Sequence, residues 1–171
     1  MSPKAPYQEP HNIETLLVDY HDPQQARHLV QLLDHYARDP MGGGEPLADA
    51  VQANLVTGLA QRPFAFSLMC YVNGQPAALT NCFEGFSTFA AKPLINVHDI
   101  VVHRDYRGLG LSQILLNKVE TLARERGCCK ITLEVLSGNT TAQGAYRKFG
   151  FEQYQLDPNA GQAQFWQKPL H

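Results

Sequence analysis

His103-Arg104-Asp105-Tyr106-Arg107-Gly108-Leu109-Gly110-Leu111-Ser112 joins an apolar run to a helical one. Upstream, Leu94 to His103 is dominated by apolar residues, as expected for a central strand. Downstream, Leu111, Ile114, Leu115, Val119, Leu122 and Ala123 recur at helical spacing within Gly110–Arg126, and Gly127 suits the position just past a helix end. A strand, a glycine turn and a helix together make an anion cradle. The glycines let the backbone turn tightly and approach a ligand. Free N–H groups at the helix start point at an anion, here a pyrophosphate. Arg104 and Arg107 add positive charge. A Walker A loop is excluded because no Gly-Lys-Ser/Thr follows. A dinucleotide fingerprint is excluded because Gln113 holds the place of its third glycine.

Working outward, residues 1–12 read as a polar, proline-containing N-terminal arm, and residues 13–171 as one domain. Ile13 to Tyr20 is a strand. Asp22 caps and Pro23 opens a helix carrying Ala26, Leu29, Val30, Leu33 and Ala37. Asp39-Pro40 ends it, Met41 to Gly44 is a loop, and a second helix spans Leu47 to Ala60. Phe64 to Val72 and Ala77 to Phe86 form a hairpin about Asn73-Gly74. After the central helix, Lys130 to Val135 is a strand, and Asn139 caps a helix of about nine residues that Gly150 ends. Phe151–Leu156 and Ala163–Lys168 read as two final strands, giving an α/β chain of about seven strands and about four helices.

Arg107-Gly108-Leu109-Gly110-Leu111-Ser112 resembles the Gln/Arg-x-x-Gly-x-Gly/Ala pyrophosphate loop of the GNAT superfamily of N-acetyltransferases. Ser112 departs only in the last place and stays small. Asn139-Thr140-Thr141-Ala142-Gln143-Gly144-Ala145-Tyr146-Arg147-Lys148-Phe149-Gly150-Phe151 resembles that superfamily's Asn-x-x-Ala-x-x-x-Tyr-x-x-x-Gly-Phe block at every marked position. The resemblance covers about residues 64–157. It implies the GNAT fold, with a mixed, mostly antiparallel sheet, and transfer of an acetyl group from acetyl-CoA to a primary amine by direct attack.

The resemblance also implies roles. Arg107 to Ser112 and Asn139 would bind the cofactor, and the main chain of Ile100, Val101 and Val102 would pair with its pantetheine. Tyr146 would protonate the leaving thiolate. Phe86-Ser87-Thr88-Phe89 and the strand after it are similar to the diamine acetyltransferase branch, where His98 would take the place of a glutamate and Asp99 keep an aspartate. An imidazole ionises near pH 6.5, so His98 suits proton removal from the acceptor. Strand alternation puts Asp99 on the opposite face, as a structural carboxylate, unless the bulge that the resemblance implies in this strand relaxes the alternation. Glu134 is a second candidate base. Met41, Gly42, Phe86, Ser87 and His98 would meet the acceptor, since loops carry specificity on such scaffolds. Glu45, Asp49 and Glu84 either line a site for a cationic amine or are solvated surface.

Of 171 residues, 44% are hydrophobic and 18% charged, which excludes a disordered or coiled-coil chain. The net charge of −2 argues against nucleic acid as a partner. Cys70, Cys82, Cys128 and Cys129 make no zinc-type spacing, and no metal is expected. Unpaired cysteines, the lack of an apolar N-terminal run and the lack of a spanning segment point to the cytoplasm, with no membrane partner. The superfamily's habit and the last strands, with Phe165 and Trp166 beside a sheet edge, lead us to expect a homodimer. The alternatives are a peptide or protein amine acetyltransferase and a non-catalytic acyl-CoA-binding domain.

Overall fold

Local chemistry sets each element of the computed structural model, which describes residues 11–155, 157, 159, 161 and 163–170. The Asp22 carboxylate accepts from the Gln24 and Gln25 N–H groups, and Pro23 opens α1 (Pro23–Ala37) after β1 (Ile13–Leu17). α2 (Asp49–Ala60) follows. Asn73-Gly74 closes a hairpin of β2 (Ala65–Val72) and β3 (Gln75–Ser87), and β3 turns back into β4 (Lys92–Val102). A short 3-10 turn, Arg104–Tyr106, leads to α3 (Leu111–Glu125), β5 (Ile131–Leu133) and α4 (Thr140–Phe149).

The five strands lie in the order β1-β2-β3-β4-β5. The first three pairings are antiparallel and β4 runs parallel to β5, across the helical connection that a parallel pair requires. Alternating side chains feed two cores. On one face Leu68, Cys82, Ile95 and Val97 pack with Leu111, Leu115, Leu116 and Val119 of α3. On the other, Met69, Leu79 and Val101 pack with Leu29 and Leu32 of α1 and Leu59 of α2. The fold is therefore the mixed α/β arrangement expected, with four α-helices.

The strand count is lower than expected: five among the described residues, not about seven. Residues 151–155 and 163–168 take no strand conformation, and Leu156 lies outside the described residues, as do residues 1–10 of the arm. Sequence pattern supplies only propensity, and a strand exists through a paired neighbour. β5 itself keeps a three-residue ladder and offers little edge to continue the sheet.

Candidate active site

The cleft begins where the sheet splits. β4 pairs with β5 only at Ile95–Val97, while β4 runs on to Val102. From residue 98 onward the strands diverge, and a cleft of about 530 Å³ opens between β4, the start of α3 and the start of α4. Ile100, Val101 and Val102 line it, as do Arg107, Gly108, Gly110, Leu111, Ser112, Asn139 and Tyr146. Leu109 instead packs against the core under α3.

The floor suits an anion. Gly110 precedes α3 with φ 75°, and no side chain caps the helix, so its first N–H groups face the cleft without a side-chain acceptor. Gly108 has φ 84°, and a Cβ at either glycine would meet nothing within 4 Å. The left-handed backbone, rather than crowding, therefore calls for glycine there. An uncapped helix start behind two such glycines and an arginine fits a diphosphate.

The opposite wall, which the sequence did not reveal, is the end of α1. His35, Tyr36 and Asp39 line the cleft with Met41. The Asp39 carboxylate accepts from the Met41 N–H at 2.9 Å and pairs with the Arg107 guanidinium at 3.3 Å. Its backbone bond to Met41, then Arg107, holds its pKa below the usual carboxylate value. Gly42 packs so closely on the Tyr36 carbonyl that a Cβ would sit 2.0 Å from that oxygen. Gly42 itself does not line the cleft; it permits the loop that presents Met41.

His35 stacks on His103 with ring centroids 4.0 Å apart. His35 Nε2 accepts from the Arg104 N–H, and His103 Nδ1 from the Asp105 N–H, each at 3.3 Å. Burial, followed by the neighbouring His103, Arg104 and Arg107, pushes the His35 pKa down, against Asp105. The only sequence signal for this wall was a polar, aromatic last turn on an otherwise apolar helix face.

Tyr146 sits on α4, half-buried, its ring edge against Phe151 at 5.9 Å. Burial and, secondarily, Tyr36 push its hydroxyl up to about 12, so it stays protonated at neutral pH. Asn139 accepts from the Ala142 N–H at 3.1 Å, capping α4 while facing the cleft.

His98 and Asp99 require a correction. Asn81 pairs with Asp99 but Cys82 pairs with Val97, so His98 is the extra residue of a β-bulge. The bulge removes the alternation that would have separated the two side chains. His98 meets the Phe83 ring at 5.3 Å, and the Asn81 amide donates to Asp99 Oδ2 at 2.9 Å. Phe83 packs with the α1–α2 core, so both side chains lie on that face.

His98 is exposed beside the cleft and does not line it. Glu134 is exposed beyond the end of β5. Phe86 is 63% exposed across from Pro93. Ser87 accepts from the Ala90 N–H within the β3–β4 turn, and neither residue lines the cleft. Glu84 pairs with Arg126 at 3.2 Å, while Glu45 and Asp49 are exposed. Among the described residues no group of three His, Cys, Asp or Glu side chains could hold a metal ion, and no helix is long and apolar enough to cross a membrane.

The sequence model of a family described as "Acetyltransferase (GNAT) family" matches residues 29–151. The chain is similar to a streptothricin acetyltransferase of Streptomyces lavendulae, 36% identical over 75 residues, 44% of this chain and 40% of that protein. It is also similar to a thialysine N-epsilon-acetyltransferase of Bos taurus, 29% identical over 118 residues, 62% of this chain and 69% of that one. The chain thus spans about two fifths of the streptothricin enzyme's length. An aminoglycoside N-acetyltransferase solved in complex with CoA superposes with a TM-score of 0.73 at 16% identity, over 95% of this chain and 98% of that one.

Proposed function

The chain belongs to the acetyltransferase (GNAT) family, and on that premise we propose that it is an N-acetyltransferase that moves an acetyl group from acetyl-CoA to a primary amine of a small molecule. The carrying observation is the uncapped start of α3 behind Arg107, set across the cleft from Tyr146. Relatives named for streptothricin and thialysine support a small-molecule amine as acceptor.

Bound acetyl-CoA supplies the acetyl group activated as a thioester. The α3 N–H groups, the Gly108–Gly110 backbone, Arg107, Ser112 and Asn139 hold its diphosphate arm, and the main chain of Ile100 to Val102 pairs with the pantetheine. The Ile100 N–H polarises the reacting carbonyl. His98, directly or through water, takes the proton that the amine loses as its C–N bond forms. The Tyr146 hydroxyl gives a proton to the sulfur as the C–S bond breaks. Its raised pKa keeps that proton in place until the thiolate develops. Met41 and its loop, with Phe86 and Ser87 further out, border the acceptor's approach.

We extend the proposal to a homodimer in a reducing compartment, the cytoplasm. β5 is an edge strand among the described residues, Phe165 and Trp166 are 73% and 83% exposed, and all four cysteines are free thiols.

The test is thiol release from acetyl-CoA against a panel of small amines and peptides. Amine-dependent release, greatest with small primary amines, is expected. Release no faster than the amine-free background with every acceptor would overturn acetyl transfer. Preference for peptide N-termini would overturn only the small-molecule assignment.

A further inference from the structure

The Asp39 carboxylate, just past the end of α1, serves two loops at once. Its Oδ1 accepts from the Met41 N–H at 2.9 Å, and its Oδ2 faces the Arg107 guanidinium at 3.3 Å. The Asp39 carbonyl accepts from the Gly42 and Gly44 N–H groups at 2.8 and 3.0 Å. Main chain and one carboxylate oxygen are therefore both tied into the turn that follows the helix. Arg38, next in the chain, is taken by Asp34 at 2.8 Å. Among the described residues Arg107 is thus the one ion-pair partner of Asp39.

The pair has the geometry of one that exchanges. A strong arginine–carboxylate pair makes two parallel contacts of about 2.7–2.9 Å. Here there is one hydrogen bond, and it is longer. The Arg107 side chain is 61% exposed and that of Asp39 33%, and ion pairs in contact with water are individually weak. Arg107 is also the partner free to move. Its side chain makes no other hydrogen bond among the described residues, whereas Asp39 stays where Met41 and the turn hold it. The bond from Met41, ahead of Arg107, lowers the Asp39 pKa, so the carboxylate is a fixed anion at neutral pH. Both residues line the cleft with Gly108, Gly110 and the uncapped start of α3. An anion of the protein itself therefore occupies the cation that this cradle offers to a diphosphate.

We propose that Asp39 is a positioning residue acting through Arg107, an internal stand-in for phosphate. Arg107 leaves it when the diphosphate of acetyl-CoA enters and returns to it when product CoA departs. This rests on the acetyl-CoA reading above and deepens it: Asp39 sets how tightly the cofactor arm is held. Acetyl-CoA and CoA carry the same diphosphate, remote from the thioester. The competition therefore weakens the binding of substrate, transition state and product alike. It leaves the chemical step untouched and shortens the stay of the product.

The test titrates CoA calorimetrically into the wild-type protein, Asp39→Asn, Arg107→Gln and the double variant. Asparagine keeps an oxygen for the Met41 N–H and loses the charge. Asp39→Asn should tighten CoA binding about 5-fold, the upper worth of an exposed ion pair, and slow CoA dissociation in stopped flow by a similar factor. In the Arg107→Gln background the same change should alter affinity less than about 2-fold, the spread within which independent changes add. Weaker CoA binding by Asp39→Asn would overturn the proposal, because a loosened loop, or a carboxylate that aims Arg107 at the ligand, gives that sign. Equal tightening in both backgrounds would overturn it too, since plain charge repulsion needs no Arg107. Should Asp39→Asn fail to fold, Asp39→Ser carries the same test with the same sign expected. A wild-type protein that binds no CoA overturns the proposed function and this inference with it. CoA binding that Asp39→Asn leaves unchanged overturns this inference alone.

Discussion

At the scale of single residues, Tyr146 and Gly42 give the sharpest expectations. Tyr146→Phe removes one hydroxyl from a ring that keeps its packing on Phe151. If that hydroxyl protonates the thiolate, kcat falls about 10- to 1000-fold while acetyl-CoA affinity stays within a few-fold. Steady-state kinetics with calorimetric binding check both halves. Gly42→Ala tests a residue whose role is steric. Its Cβ would meet the Tyr36 carbonyl oxygen at 2.0 Å and the carbonyl carbon at 2.8 Å, both backbone atoms of a helix end. The loop must shift, and the bond from the Tyr36 hydroxyl to the Met41 carbonyl goes with it. A loss of about 1–3 kcal/mol in urea unfolding is expected.

At the scale of elements, α1 is joined to the loop before α3 by the His35–His103 stack and the bond from the Arg104 N–H. Folding lowers the His35 pKa, so the unfolded chain takes up the proton first as pH falls. The contribution of His35 is therefore complete above about pH 6.5, its unfolded value, and declines as pH drops below it. His35→Gln should flatten the pH dependence of urea stability between about pH 7.5 and 5, with part of the slope left to His28, whose pKa burial also lowers.

Legibility followed this same division between local and long-range interactions. The Asp22 cap, the Asn73-Gly74 turn, the glycines before α3 and the Asn139 cap act within a few residues, so spacing reveals them. The docking of α1 against the Arg107 loop joins positions 68 and 69 residues apart, and no local pattern encodes it. The resemblance implies a bulge in this strand, but its position at His98 arises from the register of β3 against β4, which the pattern along β4 does not carry. Alternation along β4 alone therefore put Asp99 on the wrong face. The last two strands failed in the opposite sense: their residues suit a strand, but among the described residues none pairs with them.

For the molecule as a whole, ligand linkage and association are the measurable quantities. Acetyl-CoA at about 100 times its Kd should stabilise the fold by about 2.7 kcal/mol, and a thermal scan in its presence reads this as a rise in Tm. Arg107→Glu should diminish the rise by setting a negative charge beside the diphosphate. Light scattering should return the mass of two chains, through the face that carries Phe165 and Trp166; the mass of one chain would count against the dimer. The pairing of Arg107 with Asp39, and of Arg104 with Asp105 at 3.8 Å, bears on how the molecule meets its ligand. Arg107 at the cleft and Arg104 in the turn before it each already face a carboxylate, and the chain is net acidic. Little positive field reaches into solvent to draw in a polyanion from a distance. Capture then rests on short-range contacts formed after collision, and the association rate should vary little with ionic strength.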